Sequence, residues 1–280
     1  MKFALASDVH LEFGPLDIEN TENADVLVLA GDIFVANDLQ HRDEVNILGG
    51  REFKVKKSER IHDFFVKACK DFPEVVLILG NHEHYHGDFT KTFSKIKEYL
   101  EYLPNLHVLE KDFVKIGDTT FIGGTMWTDM NKSDPVTMYS LRDMMNDFNC
   151  VKNSNRMLSE SRPARFTPED AKNDHHVFME EIRGILLDED NSNVVMVTHH
   201  SPSRQTTHPR YKDDFIMNGG YSSDLDSFIL DHPKIKAWCF GHQHNRVDFM
   251  IGPTRIINNS RGYINYEQCA DTFKLKYIEV

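Results

Sequence analysis

Short, continuous runs of hydrophobic residues recur along the chain and predict buried β-strands. The runs consist mainly of β-branched and aliphatic side chains, a composition typical of strands that are covered on both faces. They occupy residues 3–6, 26–30, 75–79, 194–197 and 235–240. Polar residues follow every run, and loops at strand ends are where α/β folds place their functional groups. We therefore expect the chemistry of this protein at the strand ends.

Helical periodicity fills the intervals between these runs. Apolar residues spaced three to four apart, or amphipathic stretches with start signals, predict helices over 61–68, 93–103, 169–187 and 222–230. The 169–187 helix has a defined beginning. Thr167 can serve as its N-cap, Pro168 occupies the first helical position, and Asp170 stands three residues after the cap.

Hairpins replace helices in parts of the chain. Turn residues between alternating stretches predict hairpins pairing 113–116 with 120–123 and 247–251 with 254–257, followed by a last strand within 273–280. This order of elements predicts an α/β fold in which two sheets pack together with helices outside. Residues 126–168 are polar and show no clear period. We expect them to form a lid over the site within a single 1–280 domain; a surface excursion without a catalytic role is the alternative.

Composition narrows the class of protein. The chain has 280 residues and a net charge of −12, which argues against an extended nucleic-acid-binding surface. No apolar stretch approaches the roughly 20 residues that a membrane span needs. The first residues are expected to form a strand and not a signal peptide, because a basic segment and a cleavage site are missing. The four cysteines lack paired spacing, so we expect a reduced, cytoplasmic protein.

Five motifs that follow the hydrophobic runs supply oxygen and imidazole donors in order along the chain. They are Asp8-Val-His10, Gly31-Asp32, Gly80-Asn81-His82-Glu83, His199-His200 and Gly241-His242-Gln-His244. Donors of this kind, without a thiolate, suit hard or borderline divalent ions and indicate phosphate-ester hydrolysis. Single motifs such as Asp-x-His or Gly-Asp are most often ordinary surface residues. The pair His242 and His244 is the strongest signal, since buried imidazoles without a partner are costly.

The ordered set resembles the calcineurin-like metallophosphoesterase superfamily, and further stretches resemble its small bacterial and phage-type members. Those stretches surround Trp127, Asp147 and Arg261. The resemblance implies an α/β/β/α sandwich of two mixed sheets with a dinuclear metal centre at the strand ends. It implies that one ion is held by Asp8, His10, Asp32 and His244, and the other by Asp32, Asn81, His199 and His242.

The resemblance also implies a mechanism. A hydroxide bridging two divalent ions would attack a phosphodiester or phosphomonoester, and His82 would act as general acid. Manganese is the expected metal, with iron, zinc, nickel, cobalt or magnesium as alternatives. The expected partner is a phosphate-ester substrate such as a nucleotide. His200, Arg142, Arg204 and Arg261 are candidate contacts to it.

Two other functions are alternatives to phosphate-ester hydrolysis of a small substrate. One position also departs from the family pattern. A DNA or RNA nuclease would share these motifs, whereas a non-catalytic metal-binding scaffold would be expected to lose ligands that are intact here. The family often places a second Asp three residues after the bridging one, where this chain has Val35. Another acid, such as Asp38 or Glu83, would then have to orient His10 or His82, or this role is missing. No heptad run indicates an oligomeric state.

Overall fold

Two mixed sheets lie face to face between layers of helices. The computed structural model describes residues 1–41 and 51–280. The first sheet has the strand order β13-β1-β2-β3-β4, and all its neighbours are parallel except β13 and β1. Its strands are β1 Lys2–Ala6, β2 Val26–Ala30, β3 Glu74–Ile78, β4 Leu106–Leu109 and β13 Lys276–Glu279.

The second sheet has the order β11-β12-β10-β9-β6-β5. Its central strands β6, β9, β10 and β12 are parallel, and the two predicted hairpins add an antiparallel strand at each edge. Its strands are β5 Asp112–Ile116, β6 Thr119–Gly124, β9 Val194–Thr198, β10 Ile235–Phe240, β11 Val247–Ile251 and β12 Thr254–Asn258. A separate two-stranded sheet pairs β7 Lys152–Ser159 with β8 Arg162–Arg165.

The described residues also form helices. They are α1 Arg51–Asp71, α2 Phe89–Leu100, α3 Met130–Ser133, α4 Pro135–Met144, α5 Asp147–Cys150, α6 Pro168–Leu187, α7 Phe215–Tyr221, α8 Asp226–Asp231 and α9 Gln268–Asp271. Short 3-10 turns occupy Ala36–His41, His82–His84, Arg204–Thr206 and Pro209–Tyr211. Helices α1 and α2 pack on the first sheet, and α6 and α8 pack on the second. The predicted α/β/β/α sandwich of two mixed sheets is confirmed.

Local signals fixed the start of α6 as predicted. The Thr167 side chain accepts from the Asp170 amide, and Asp170 accepts in return from the Thr167 amide, which forms a capping box. The helix predicted over 222–230 is present only in its second part, as α8, because α7 ends before the predicted range. Ser222 and Ser223 between them are buried and pair with the loop after β9, which interrupts the helix.

Residues 126–168 contain regular structure that the sequence pattern did not reveal. Helices α3 to α5 and the β7–β8 hairpin surround an apolar cluster that includes Trp127, Leu141 and Phe166. Each helix is short, so a helical period has too few turns to stand out. Helix α4 packs against α7 and α6, which ties this segment to the second sheet's side of the molecule.

Two general expectations can be compared with the structure. All four cysteines are free thiols. Among the helices within residues 1–41 and 51–280, none combines the length and the apolar character that crossing a membrane requires.

The layer between the two sheets depends on close packing of large side chains. Phe3 on β1 and Phe121 on β6 are fully buried and meet edge to face, with ring centroids 6.0 Å apart. We expect Phe121→Ala to lower the free energy of unfolding by about 3–5 kcal/mol, because it leaves a cavity between the sheets. Denaturant unfolding followed by circular dichroism measures the change.

Phe113→Ala is the matched control, because Phe113 lies on the neighbouring strand β5 with 43% of its surface exposed. We expect it to cost less than about 1 kcal/mol. Equal losses in the two variants would contradict the assignment of this layer as the central core.

Candidate metal centre and active site

The five motifs converge at one edge of the sandwich. Parallel strands present their carboxyl ends on the same side, so the loops after β1, β2 and β3 in one sheet approach those after β9 and β10 in the other. The Gly31 carbonyl accepts from the Asp8 amide, and the His199 carbonyl accepts from the Gly241 amide. Backbone hydrogen bonds therefore join these loops within each sheet.

Most of the predicted ligands have an unusual backbone. The φ angles of Asp8, His10, Asp32, His242 and His244 lie between 46° and 68°, in the left-handed region. Residues other than glycine rarely occupy this region, and each instance costs roughly 1–3 kcal/mol unless the surroundings stabilise it. Such residues concentrate at functional sites, and here they coincide with the predicted ligands.

One group of donors comprises Asp8, His10 and His244, whose ligand atoms all lie within 4.8 Å of one another. His244 Nε2 lies 3.4 Å from Asp8 Oδ1 and 3.2 Å from His10 Nε2. The second carboxylate oxygen of Asp8 accepts from the Ser260 hydroxyl at 2.7 Å. Two imidazole nitrogens and a carboxylate oxygen thus face one small space.

A second group comprises Asp32, His199 and His242, again within 4.8 Å. His199 Nε2 lies 3.2 Å from Asp32 Oδ2 and 2.9 Å from the amide oxygen of Asn81. That oxygen is also 3.1 Å from His242 Nδ1. The Asp32 carboxylate lies 4.0 Å from His10 Nε2 of the first group, so it stands between the two groups.

The two central carboxylates are ionised despite their burial. Burial would raise the pKa of Asp8, but its contacts with His244 and the charge of His199 hold that pKa well below its usual range. Burial likewise opposes ionisation of Asp32. The charges of His199 and His82 nevertheless keep the pKa of Asp32 well below its usual value. The site therefore offers two negative charges.

The surrounding histidines differ in basicity according to their partners. Burial would lower the pKa of His244, but Asp8 and Glu267 raise it to about 10. Burial also opposes protonation of His199, and Asp32 raises its pKa to about 9. For His242, burial and the nearby His199 lower the pKa to about 3. The carboxylates thus raise the pKa of the histidines that they contact, His244 and His199. His242 is neutral, and a neutral imidazole can coordinate a metal ion.

Glu12 orients both His10 and His82. One of its carboxylate oxygens lies 3.0 Å from His10 Nδ1 and 2.9 Å from His82 Nδ1. Burial would lower the pKa of His82, but Asp32 and Glu12 together raise it to about 9. Sequence reasoning missed this residue, although Asp8, His10 and Glu12 alternate along the chain. Glu12 therefore makes the contacts to His10 and His82 that were expected of Asp38 or Glu83.

Asp38 and Glu83, the two acids expected in that role, have other partners. Asp38 forms an ion pair with Lys57 at 3.3 Å. The buried carboxylate of Glu83 accepts from backbone amides of the loops that carry Asp32 and Asn81. These amides belong to Asp32, Ile33, Phe34 and Gly80. Within the described residues, the Glu83 carboxylate therefore holds the two loops together and makes no hydrogen bond to the His82 ring.

Glu267 and Tyr263 complete the first group from the C-terminal part of the chain. Glu267 lies 2.6 Å from His244 Nδ1, and its carboxylate also accepts from the Tyr263 amide at 2.8 Å. The Tyr263 hydroxyl lies 3.4 Å from His82 Nε2. A carboxylate behind an imidazole ligand fixes the ring's orientation and raises its basicity.

A cavity of about 1220 Å³ opens above both groups. Asp32, Asn81, His82, His242 and His244 lie on its floor. Its walls include residues from the α4–α5 region, from α7 and from the loop that precedes α7. They are Met144, Met145, Asn146, Asp147, Tyr211, Asp214, Met217, Asn218 and Tyr221. A small molecule placed here would contact the ligand groups directly.

The four candidate substrate contacts are not among the described residues that line this cavity. Arg142 lies over the Tyr139 ring at 5.3 Å, and Arg204 donates to the side chain of Asn131. Arg261 is buried and donates to backbone carbonyls. These belong to Val9, Gly14 and Pro15. None of the three guanidinium groups belongs to the described side chains that line the cavity.

His200, the fourth candidate substrate contact, is buried behind His242 and is not among the described residues that line the cavity. Its ring centroid is 4.3 Å from that of His242, and its Nδ1 is 3.3 Å from the Thr125 carbonyl. The ring is buried against Trp127 at a centroid distance of 5.0 Å. His200 therefore supports the position of His242 from the protein interior.

The donor set fits divalent metal ions. Two carboxylates, an amide oxygen and four imidazoles converge within a few ångströms, and such N/O sets suit manganese, zinc, iron and related ions. His242 Nε2 is buried without a hydrogen-bond partner, an arrangement that is costly unless a ligand satisfies it. Asp8, His10, Asp32 and His244 could hold one ion, and Asp32, Asn81, His199 and His242 another.

The space around Asp32 leaves no room for a side chain at Gly80. A Cβ atom there would collide with the Asp32 carboxylate and would lie 2.8 Å from His199 Nδ1. We expect Gly80→Ala to lower the amount of manganese retained per chain after dialysis, because both ligands must shift. Elemental analysis by mass spectrometry measures the retained metal.

Gly184→Ala is the control, since a Cβ atom at this position in α6 would meet nothing within 4 Å. It should retain metal like the original chain and raise the free energy of unfolding by about 0.5–1 kcal/mol. Metal retention by Gly80→Ala equal to that of Gly184→Ala would contradict the assigned ligand positions.

Two sequence comparisons relate this chain to known proteins. A family model described as calcineurin-like phosphoesterase matches residues 1–246. An uncharacterized protein of Acanthamoeba polyphaga mimivirus is 26% identical over 220 residues, which cover 72% of this chain and 73% of the viral protein.

Two solved structures share the fold at low sequence identity. Phosphopantetheinyl hydrolase from Mycobacterium tuberculosis aligns with a TM-score of 0.66 and 13% identity, over 99% of this chain and 95% of that protein. A dimetal phosphatase from Danio rerio aligns with a TM-score of 0.51 and 14% identity, over 99% of this chain and 91% of its own. Because the family match spans most of the sequence, the chain belongs to the calcineurin-like phosphoesterase family of metal-dependent phosphate-ester hydrolases.

Proposed function

We propose that this protein hydrolyses a small phosphodiester or phosphomonoester at a dinuclear metal centre. The observation that carries the proposal is the pair of adjacent donor groups, with Asp32 between them, on the floor of one cavity. Manganese is the proposed metal, and the other ions named above are alternatives that the same donors accept. The free cysteines favour a reducing compartment, and we propose a cytoplasmic location.

The metals and the chain would divide the chemistry. Two divalent ions bound by these ligands would neutralise charge on the phosphoryl oxygens and lower the pKa of a water molecule toward neutrality. Glu12 fixes the ring of His82 through Nδ1, so that Nε2 is the nitrogen directed toward the Asp32 carboxylate at 3.9 Å. From there His82 would donate a proton to the departing alkoxide as general acid.

The cavity favours small substrates over nucleic acids. Its described lining contains the carboxylates of Asp38, Asp147, Asp214 and Glu267, and its lysine, Lys57, pairs with Asp38. A polynucleotide would need a line of cations along its phosphates, and the net charge of −12 opposes one. We also propose that residues 126–168 act as a lid, because Met144 to Asp147 form part of the cavity wall.

Hydrolysis of model esters tests the proposed function. The manganese-loaded protein should cleave bis-p-nitrophenyl phosphate or p-nitrophenyl phosphate, as measured by release of nitrophenolate. Asn81→Ala and His242→Ala should reduce kcat/KM by about 100-fold or more, because each removes a metal ligand. His176→Ala should have no effect, since His176 is exposed on α6.

A screen across metals and substrates can contradict the proposed function. It pairs manganese, iron, zinc, nickel, cobalt and magnesium with mononucleotides, cyclic nucleotides, phosphoproteins and linear DNA. Absence of hydrolysis with every pair would contradict the enzymatic function. Cleavage of linear DNA much faster than of the small esters would favour the nuclease instead.

Glu12→Gln tests the role of His82 through the leaving group. The amide cannot stabilise a protonated His82 as the carboxylate does. We expect kcat to fall about 100-fold for ethyl phosphate, whose alkoxide needs a proton, and about tenfold or less for p-nitrophenyl phosphate. Phosphate release measures both rates.

Glu22→Gln is the matched control, because Glu22 is an exposed acid paired with Lys2. Retained metal is measured for both variants, since Glu12 also contacts His10. Equal losses on the two esters would argue that Glu12 supports only metal binding and not the acid.

A further inference from the structure

Asp147 is a buried carboxylate that the proposed mechanism does not use. It is the first residue of α5, lines the cavity, and has only 2% of its surface exposed. Its Oδ1 atom is buried and has no hydrogen-bond partner. Leaving a buried carboxylate oxygen unpaired costs free energy that packing alone does not offset. A ligand that binds in the cavity and contacts this oxygen would offset that cost.

The position of Asp147 relates it to the reacting groups. Burial raises the pKa of Asp147, an effect that His82 and Asn81 partly oppose, and the charge of Asp147 in turn contributes to the raised pKa of His82. Burial raises the pKa of the Tyr221 phenol, and the charge of Asp147 raises it further. The same holds for the phenol of Tyr85. Asp147 therefore shares one cavity with His82, Tyr85 and Tyr221, all of which line it.

Other unsatisfied atoms around the cavity point to the same kind of ligand. Apart from the ligand nitrogen of His242, the buried unpartnered atoms of the described lining are Glu12 Oε2, Asp147 Oδ1 and Gln243 Oε1. All three are hydrogen-bond acceptors. A ligand that satisfies them must bring N–H or O–H donors or positive charge, and an ionised second phosphate group brings neither.

Aromatic rings in the same cavity favour an organic ammonium group. The Tyr85 ring stacks on His82 with centroids 4.2 Å apart, and the Tyr221 ring lies 4.5 Å from that of His242. Both tyrosines line the cavity. Aromatic faces attract cations and also cover short alkyl chains. A cavity lined by a buried carboxylate and by aromatic rings thus recognises an alkylammonium better than a bare alkyl group.

We propose that Asp147 selects phosphate esters whose leaving alcohol carries a hydrogen-bond donor, and most strongly those that carry an ammonium group. This inference rests on the proposed phosphoesterase function, because the donor groups on the floor would hold the phosphoryl end. The ammonium or hydroxyl end would then reach Asp147 next to His82. Substrates whose leaving group bears further phosphates would be disfavoured.

Non-hydrolysable phosphonates test the selection without relying on turnover. Isothermal titration of the manganese-loaded protein would compare 2-aminoethylphosphonate, 2-hydroxyethylphosphonate and ethylphosphonate. We expect the aminoethyl compound to bind about tenfold more tightly than the ethyl compound, with the hydroxyethyl compound between them. Asp147→Asn should remove most of this difference and leave ethylphosphonate affinity nearly unchanged.

Asp134→Asn is the matched control, because Asp134 is a carboxylate of the same segment that caps α4 and accepts from the Thr137 amide at 2.7 Å. It should lower the Tm and keep the preference among phosphonates. Asp147→Asn should keep or raise the Tm, since it removes an unpaired buried charge. The Tm and the phosphonate preference together show whether Asp147 recognises a ligand or only stabilises the fold.

Three results would overturn the inference. They are equal affinity of the original chain for all three phosphonates, a preference that survives in Asp147→Asn, and a uniform loss of affinity together with lost manganese. The last result would assign Asp147 to positioning Asn81. Failure of the proposed function is distinct, because it appears as absent hydrolysis of bis-p-nitrophenyl phosphate while the phosphonate preference persists.

Discussion

Two ionised carboxylates buried where the sheets meet constrain the rest of this structure. Asp8 follows a strand of the first sheet, yet it accepts from the His242 amide in the loop after β10 of the second. Asp32 likewise accepts from the His82 amide and lies against His199. Buried charges are tolerated only when hydrogen bonds and opposite charges surround them. The two sheets must therefore dock in one arrangement, and that arrangement assembles the site.

The sequence predicted those parts of the candidate site in which a polar motif directly follows a buried strand. Buried runs that end in polar residues identified the loops holding Asp8, Asp32 and Asn81, and parallel strands bring such loops to one edge. The capping residues of α6 were identified for the same reason: a local interaction leaves a local pattern. Family resemblance added the order in which the ligands are shared.

The remaining features depend on contacts between distant residues, which leave little local trace. Glu12 resembles a surface acid in the sequence, and its role appears only when His82 is brought within 2.9 Å of it. Glu83 adjoins His82 in sequence, yet its carboxylate turns to the backbone of the Asp32 loop. Asp147 belongs to a segment whose helices are too short to show a period. Adjacency in sequence was therefore a poor guide to which acid orients which histidine.

The left-handed backbone at the ligands has a consequence for how ions would be captured. Five loop residues, from Asp8 to His244, are held in a conformation that an unfolded chain seldom visits. Contacts between the sheets stabilise that conformation. The strained backbone of the donor residues is therefore already formed when the protein has folded. An incoming ion would then lose little affinity to reorganisation of its ligands. The centre is in this sense preorganised, and its geometry belongs to the protein as much as to the metal.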